Sequence, residues 1–399
     1  MERIGIYGGT FNPPHVGHIR GAQYAIEALQ LQKLLLVPSC IAPHKVIPAN
    51  SPTPRQRSQM LQIAAKDPME VCEIELNRGG TSYTYETVES LAQQYPDKEL
   101  VLCMGTDMFL SFLTWKQPER ILQKASLGVL YRGDRDEMVL IAEQKEKLEA
   151  AGAKVYLIEN PVTAISSTQM RRLITFRCAD PFLPDGIGAY IQINGLYGAS
   201  KNLRHLPMEA LEQVVVSLLK PERVPHVLGC RDTAAELAAL WGADPVDAAR
   251  AGLLHDVTKA LDSSLQLTLC AEYGIVLDEF SKQNPKTLHA LTGSLVAERI
   301  FGENMAVVDA VRSHTTGKAN MTTLQKILYV ADYMEPNRKF PGVETLRELA
   351  HTDLDKALKM GLEMTLELLR QRKQDISPES AEALKFFARK RCIRHLRGR

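Results

Sequence analysis

The stretch RIGIYGGTFNPPHVGHI, residues 3–19, decides the fold of the first part of the chain. A short apolar run ends in Gly8 and Gly9, and a helix-like segment follows two prolines. A buried strand that passes through a glycine turn into a helix is typical of a parallel α/β sheet, and glycine lets a phosphate approach the main chain. A structural turn does not need His15 and His18, so these two residues require a separate explanation.

The spacing of the two histidines favours anion binding. They are three positions apart, so they share one face of the predicted helix near its N-terminus. Free N–H groups and the positive end of the helix dipole favour anions there, and two imidazoles can donate hydrogen bonds to phosphate oxygens. The alternative is a Gly/Pro turn followed by two ordinary surface histidines.

The composition is that of a soluble globular protein of two or three domains. The chain has 399 residues, 45% of them hydrophobic and 24% charged, with a net charge of +1, which favours neither nucleic acid nor membrane as a partner. Seven scattered cysteines and the lack of a signal-like start or of an apolar run of about 18 residues predict a cytoplasmic protein. The basic tail, residues 389–399, is expected to be a solvated end rather than a binding element.

The chain divides into two halves of different kind. Continuous apolar runs alternate with amphipathic segments over residues 1–197, which predicts a Rossmann-like α/β domain with a parallel sheet. The predicted strands are residues 3–8, 33–39, 71–76, 99–105, 126–132 and 154–160. Residues 208–388 show helical periodicity alone and predict an all-α domain, and residues 198–207 read as a linker.

A second segment, ISSTQMRRL (residues 165–173), follows the last predicted strand. Its hydroxyl residues 166–168 can cap a helix. We expect Arg171 and Arg172 in the first turn of that helix, where acidic residues are usually preferred, so arginine suggests a bound anion. Alone the segment reads as a helix cap, but together with GGTFNPPHVGH it predicts the second half of a phosphate cradle.

These two segments resemble the HxGH and ISSTxxR motifs of the nucleotidylyltransferase superfamily. The segments APHK (42–45), RGGTSYTYET (78–87), MGTD (104–107) and TWKQPERIL (114–122) make residues 1–197 similar to the bacterial nicotinate-nucleotide adenylyltransferases. The pantetheine-phosphate adenylyltransferases share both phosphate motifs but lack the SYTxxT and TWK segments. Asn12, where the family commonly has Asp, is a small departure. The resemblance implies transfer of AMP from ATP to nicotinate mononucleotide, with Mg²⁺ brought in by the nucleotide and deamido-NAD and pyrophosphate as products.

The same resemblance implies the roles of individual residues. The implied catalytic residues are His15, His18, Lys45 and Arg171, which neutralise charge on the phosphates; no protein nucleophile is needed. Asp107 would accept from the nucleotide, and Trp115 would hold the pyridine ring, although a core aromatic is the alternative for Trp115. The other implied contacts to ATP or substrate are Gly8, Gly9, Thr10, Phe11, Ser82, Tyr83, Thr84, Gly105, Lys116, Ile165, Ser166, Ser167 and Thr168.

The helical half carries ionisable residues inside or at the edges of apolar helical patterns. A buried ionisable group without a partner is costly, and a single one is usually a satisfied core histidine. Six of them in the order H…HD…H…H…D predict a metal site instead. These residues are His226, His255, Asp256, His289, His314 and Asp332.

This order, together with HTTGKANMTTLQKILYVADYMEPNR (314–338), resembles the HD-domain phosphohydrolases over roughly residues 205–385. The closer likeness is to the symmetrical diadenosine-tetraphosphate hydrolases. It implies two transition-metal ions, with iron favoured over manganese and zinc. One ion would be held by His226, His255, Asp256 and Asp332, and the second by His289 and His314, with Asp256 as the bridge. Lys259 and Arg338 are candidate phosphate partners, or else surface charges.

The sequence thus predicts a bifunctional enzyme whose ligands are ATP, nicotinate mononucleotide and dinucleoside polyphosphates. Two alternatives remain for the helical half. It would act on another nucleotide or phosphate ester, or it would sense a nucleotide and regulate the first domain. Six retained ligands disfavour the sensor, because binding alone does not require two metals. The pattern leaves a homo-oligomer open.

Overall fold

The computed structural model describes residues 2–43, 48, 50–131, 135–161 and 165–396, and for residues 135 and 389–396 it describes the backbone alone. The chain folds into two compact units, Met1–Lys201 and Asn202–Arg399. The first is an α/β unit and the second is helical, as the two hydrophobic periodicities predict.

A six-stranded parallel sheet forms the centre of the first unit. Its strands are Arg3–Gly9 (β1), Leu31–Pro38 (β2), Met69–Val71 (β3), Glu99–Gly105 (β4), Ala125–Tyr131 (β5) and Val155–Glu159 (β6). They pair in the order β3-β2-β1-β4-β5-β6. The chain therefore winds in opposite directions on the two sides of β1. Ligands of such sheets bind beyond the carboxyl ends of the strands at this switch point.

Helices cover both faces of the sheet. They are Val16–Leu29 (α1), Pro54–Ala64 (α2), Ile74–Arg78 (α3), Thr84–Gln94 (α4), Thr106–Leu110 (α5), Pro118–Leu122 (α6), Arg135–Ala150 (α7), Ser167–Thr175 (α8) and Ile187–Ile193 (α9). Along β4, Leu100 and Leu102 belong to one core cluster, whereas Val101 and Cys103 belong to the other. Because side chains of a strand alternate between faces, a strand buried on both sides reads as one continuous apolar run.

The predicted strand over residues 71–76 is wrong in most of its length. Strand β3 ends at Val71, and α3 begins at Ile74. β3 lies at the edge of the sheet and pairs with β2 through three residues, after which the Cys72 N–H bonds to the Leu36 carbonyl. A short alternating apolar run fits a strand or a turn of helix equally well. β2 itself continues to Pro38, beyond Leu36, which is the last residue of β2 that pairs with β3.

The second unit is built from helices, and no strand occurs among its described residues. The α-helices of this unit are Met208–Leu218 (α10), Val224–Trp241 (α11), Pro245–Leu254 (α12), Ser263–Glu272 (α13), Glu279–Gln283 (α14), Leu288–Val296 (α15), Met305–Ser313 (α16), Thr323–Met334 (α17), Val343–Thr352 (α18), Leu354–Gln371 (α19) and Pro378–Leu396 (α20). Helices α11 and α12 approach closely at Gly252, where an added Cβ would lie 2.7 Å from the α-carbon of Arg231. Nowhere in the described part of the chain is a helix both long and apolar enough to cross a membrane.

Candidate functional sites

The two predicted phosphate segments meet at the carboxyl end of β1. The Ser167 hydroxyl donates to the Pro13 carbonyl oxygen at 3.2 Å, and Arg171 Nη1 donates to the Asn12 carbonyl oxygen at 2.9 Å. The N-terminus of α8 is thereby fastened to the turn that precedes α1. Two segments far apart in the sequence therefore lie together, while phosphate binding by them stays a prediction.

The position of the arginines in α8 differs from the prediction. The Ser166 hydroxyl caps the helix by accepting from the Gln169 N–H at 3.2 Å, so the helix begins at Ser167. Arg171 and Arg172 therefore lie in the second turn, not the first. The local cap sets where the helix starts, and Arg171 reaches the cradle through the length of its side chain.

His15 and His18 stack on each other, with ring centroids 3.6 Å apart. The backbone N–H of His15 donates to Nδ1 of His18 at 3.2 Å, so the proton of the neutral His18 ring is on Nε2. His15 is buried, and burial lowers its pKa to about 3. Its Nδ1 has no hydrogen-bond partner within the part of the chain that the structure describes. At neutral pH His15 is thus an uncharged ring with an unused polar atom in the cradle.

A cavity of about 890 Å³ opens at this cradle. It is lined by residues of both phosphate segments and by the segments after β4 and before α4. The predicted site residues that line it are Gly8, Gly9, Thr10, Phe11, His15, His18, Ser82, Tyr83, Thr84, Gly105, Asp107, Trp115, Lys116, Ile165, Ser166, Ser167, Thr168 and Arg171. Lys45, predicted to be catalytic, lies outside the described residues.

Another part of the cavity lining is aromatic and cationic. Trp115 lines the cavity and also packs against Phe112, with ring centroids 5.3 Å apart. Lys116 Nζ lies 3.8 Å from the centre of the Tyr83 ring. The Ser82 hydroxyl accepts from the Cys40 N–H at 2.9 Å. This wall can stack on a flat ring and offers donors beside it.

Sequence reasoning missed two buried charged residues of this unit. Glu75 lines the cavity and accepts from the Thr87 hydroxyl at 2.7 Å, and burial raises its pKa. Arg57 is 0% exposed and donates to backbone carbonyls beside the cradle. The sequence did indicate that Arg57 is buried, because Arg57 lies at helical spacing from Met60 and Leu61 on the apolar face of α2.

The six predicted metal ligands of the second unit converge in two groups. One group is His226, His255 and Asp332, and the other is Asp256, His289 and His314. Within the first, His226 Nε2 lies 3.2 Å from His255 Nε2 and 3.2 Å from Asp332 Oδ1. Ligand atoms about 2.1 Å from one metal ion lie roughly 3 Å apart, so this spacing fits a metal.

Asp256 lies between the two groups. Its Oδ2 is 3.5 Å from His255 Nε2, and its Oδ1 is 3.5 Å from His289 Nε2 and 3.8 Å from His314 Nε2. Burial alone would raise the pKa of Asp256, but the neighbouring His255 and Lys259 outweigh it and hold that pKa well below its ordinary value. Each carboxylate oxygen thus faces a different group, as a bridging ligand requires.

Each of the four histidines has its Nδ1–H committed to a fixed acceptor. His255, His289 and His314 donate to backbone carbonyls three residues earlier in the chain, at 2.7, 2.9 and 2.6 Å. His226 donates to the buried carboxylate of Glu335 at 3.1 Å. The Nε2 atoms therefore all face the site, and such acceptors are the usual support of metal-bound imidazoles. The donor set fits two metal ions.

Cations surround this carboxylate–imidazole cluster. Arg338 Nη2 donates to Asp332 Oδ1 at 2.6 Å, and Lys259 Nζ lies 2.9 Å from His289 Nε2. Both were predicted to be phosphate partners or surface charges, and the structure places both at the cluster. Arg223, whose Nε donates to Asp256 Oδ2 at 2.6 Å, was missed, as was Glu335. No local pattern marks either of them.

Comparisons with known proteins separate the chain in the same way. The Cytidylyltransferase-like family model matches residues 6–173, and the HD domain model matches residues 223–337. A "Probable nicotinate-nucleotide adenylyltransferase" of Pseudomonas fluorescens is 36% identical over 210 residues, which cover 50% of this chain and 98% of that protein.

The relatives of the second half carry a different name. "Bis(5'-nucleosyl)-tetraphosphatase, symmetrical" of Halalkalibacterium halodurans is 39% identical over 169 residues, which cover 42% of this chain and 90% of that protein. Its counterpart of the same name from Bacillus subtilis is 37% identical over 166 residues, 41% of this chain and 87% of that protein.

Proposed function

Because the chain belongs to the nicotinate-nucleotide adenylyltransferases over its first half and to the symmetrical bis(5'-nucleosyl)-tetraphosphatases over its second, we propose that it is a bifunctional enzyme. Residues 1–197 transfer AMP from ATP to nicotinate mononucleotide and release pyrophosphate. Residues 208–388 hydrolyse diadenosine tetraphosphate to two ADP. Residues 198–207 link the two domains.

The arrangement of His15, His18 and Arg171 at the switch point of the sheet supports adenylyl transfer by the first domain. In adenylyl transfer the phosphate of nicotinate mononucleotide attacks the α-phosphorus of ATP in line, and pyrophosphate leaves. The Nε2–H of His18 and the guanidinium of Arg171 stabilise the negative charge that develops, and Lys45 would add a third donor. Mg²⁺ bound to ATP would neutralise part of the charge on the phosphates.

The aromatic wall supports nicotinate mononucleotide as the acceptor. Trp115 offers a face for the pyridine ring, and the segment of Ser82, Tyr83 and Thr84 offers donors for its carboxylate. An amide in place of that carboxylate would turn an NH₂ group towards donors, which costs binding free energy. The acid substrate is therefore preferred.

The two groups of candidate metal ligands, with Asp256 between them, support hydrolysis of diadenosine tetraphosphate by the second domain. The two ions, which the family resemblance favours as iron, would supply a water nucleophile activated at neutral pH and positive charge at the scissile phosphate. His226, His255 and Asp332 would hold one ion, His289 and His314 the other, and Asp256 both. Arg223, Lys259 and Arg338 lie around the cluster and would bind the polyphosphate chain.

One purified full-length preparation tests both assignments. It is incubated with ATP, Mg²⁺ and nicotinate mononucleotide, and deamido-NAD is measured by chromatography. A second aliquot, analysed for bound metal, is incubated with diadenosine tetraphosphate in ¹⁸O-labelled water. Two ADP are expected. ATP plus AMP, hydrolysis of other nucleotides alone, or full activity after exhaustive chelation would refute the second assignment, and lack of deamido-NAD would refute the first.

A further inference from the structure

We propose that Arg57 is a positioning residue for adenylyl transfer, an inference that rests on the proposed function of the first unit. Arg57 is the fourth residue of α2, and its side chain is 0% exposed. The guanidinium donates to the carbonyl oxygens of Thr10 at 2.5 Å, Ser39 at 2.6 Å and Cys40 at 3.2 Å. These carbonyls belong to two loops, one after β1 and one after β2.

The first of these loops is the phosphate turn. Because the C=O and N–H of a trans peptide point in opposite directions, the bond to the Thr10 carbonyl directs the Phe11 N–H away from Arg57. Phe11 has a φ of 48°, a left-handed conformation that bulky residues rarely adopt. Arg57 holds the carbonyl before Phe11, and Arg171 holds the carbonyl of Asn12 after it. The two guanidinium groups thus hold the backbone immediately before and immediately after Phe11.

The second loop connects Arg57 to Ser82, a residue of the aromatic part of the cavity lining. While Arg57 holds the Ser39 carbonyl, the N–H of the same peptide, at Cys40, donates to the Ser82 hydroxyl at 2.9 Å. The Ser39 N–H donates to the Gly9 carbonyl at 2.9 Å. One buried side chain therefore sets the relative positions of the phosphate turn and of the segment proposed to bind the pyridine carboxylate.

The charge of Arg57 is also unusual. Burial lowers its pKa, and among the described residues no carboxylate forms an ion pair with it. A buried cation held by neutral carbonyls leaves its positive field uncompensated. That field acts on the adjacent turn, where negative charge develops during transfer. A neutral side chain of similar volume would remove both the field and the three hydrogen bonds.

The test compares substitutions at two arginines of the same helix. Arg57→Met should lower kcat for deamido-NAD formation about a hundredfold and leave KM for ATP and nicotinate mononucleotide within about threefold. Arg57→Lys keeps the positive charge but loses the planar guanidinium group with its several fixed donors, so kcat should fall about tenfold. Arg55→Met, on the exposed side of α2, should keep the wild-type rate.

Hydrolysis of diadenosine tetraphosphate by the same molecules monitors the folding of the second unit, and thermal unfolding monitors the first. If wild-type protein makes no deamido-NAD, the proposed function is wrong; if it does and Arg57→Met keeps kcat within twofold, the positioning role is wrong. An equal loss in Arg57→Lys and Arg57→Met, or a loss expressed in KM alone, also overturns it. If Arg57→Met does not fold, Arg57→Lys alone tests the positioning role: a fall in kcat with nearly unchanged KM supports it, and an unchanged kcat or a change in KM alone contradicts it.

Discussion

Replacing Glu335 by glutamine should weaken metal binding in the second unit. Glu335 Oε1 accepts from His226 Nδ1–H at 3.1 Å, and Oε2 accepts from the N–H and the Nδ2 of Asn337 at 2.7 and 2.9 Å. Both carboxylate oxygens thus face donors. Glutamine has one oxygen and one NH₂ group, so in either orientation its NH₂ group meets a donor.

The magnitude follows from these contacts. The variant loses one charge-assisted hydrogen bond and leaves a buried donor unsatisfied, which costs about 1–3 kcal/mol. At about 1.4 kcal/mol per factor of ten, this corresponds to roughly a fivefold to hundredfold change in an equilibrium constant. Loss of an outer partner of a metal-bound histidine typically costs about 10–100-fold in affinity, in agreement with the hydrogen-bond figure.

The assay is a competition for Zn²⁺ between the full-length chain, stripped of metal beforehand, and a chromophoric chelator. Glu348→Gln, the same chemical change at an exposed position of α18, is the matched control. Weaker Zn²⁺ binding and slower hydrolysis are expected for Glu335→Gln, with adenylyl transfer unchanged. Wild-type Zn²⁺ affinity in a folded Glu335→Gln protein would refute the role of Glu335 in orienting His226.

Four further outcomes are expected. His18→Ala should reduce deamido-NAD formation about a hundredfold or more, as measured by initial rates, because it removes a donor to the transition state; an unchanged rate in folded protein would contradict the cradle. Asp256→Ala should abolish hydrolysis of diadenosine tetraphosphate and leave adenylyl transfer nearly intact, since the proposed bridging carboxylate lies between both ligand groups; hydrolysis at the wild-type rate would contradict a bridging role for Asp256. Nicotinamide mononucleotide should have a much lower kcat/KM than the acid, and equal values would exclude a carboxylate-specific wall. Fragments 1–197 and 205–399, expressed separately, should each be soluble and folded by circular dichroism; aggregation of both, rescued by co-expression, would indicate a shared core.

Local pattern accounts for most of what the sequence predicts correctly. Five of the six strands lie close to the predicted apolar runs, because a strand buried on both faces needs apolar side chains throughout. The two predicted phosphate segments lie together, and so do the six candidate metal ligands. An ionisable residue in an apolar pattern is a strong signal, because its burial requires a specific partner.

The sequence did not predict where some helices and strands begin and end. Of the run 71–76 only Val71 lies in the edge strand β3, and α3 begins at Ile74 although β2 continues to Pro38. The start of α8 at Ser167 moves Arg171 and Arg172 into the second turn. A short apolar run fits a strand or a helical turn equally well, and the start of α8 depends on which of three successive hydroxyl residues serves as the cap.

The sequence by itself determined the two fold classes, the phosphate segments and the identity of the metal-ligand candidates, since each is written in residue type and spacing along the chain. Only the tertiary structure showed that Arg57 holds Thr10 and Ser39 and that Glu335 orients His226, a residue 109 positions away. Arginine and glutamate are most often surface residues, so the residue type by itself does not reveal such a role. Burial and the direction of a hydrogen bond give them a role, and both arise when distant segments pack together.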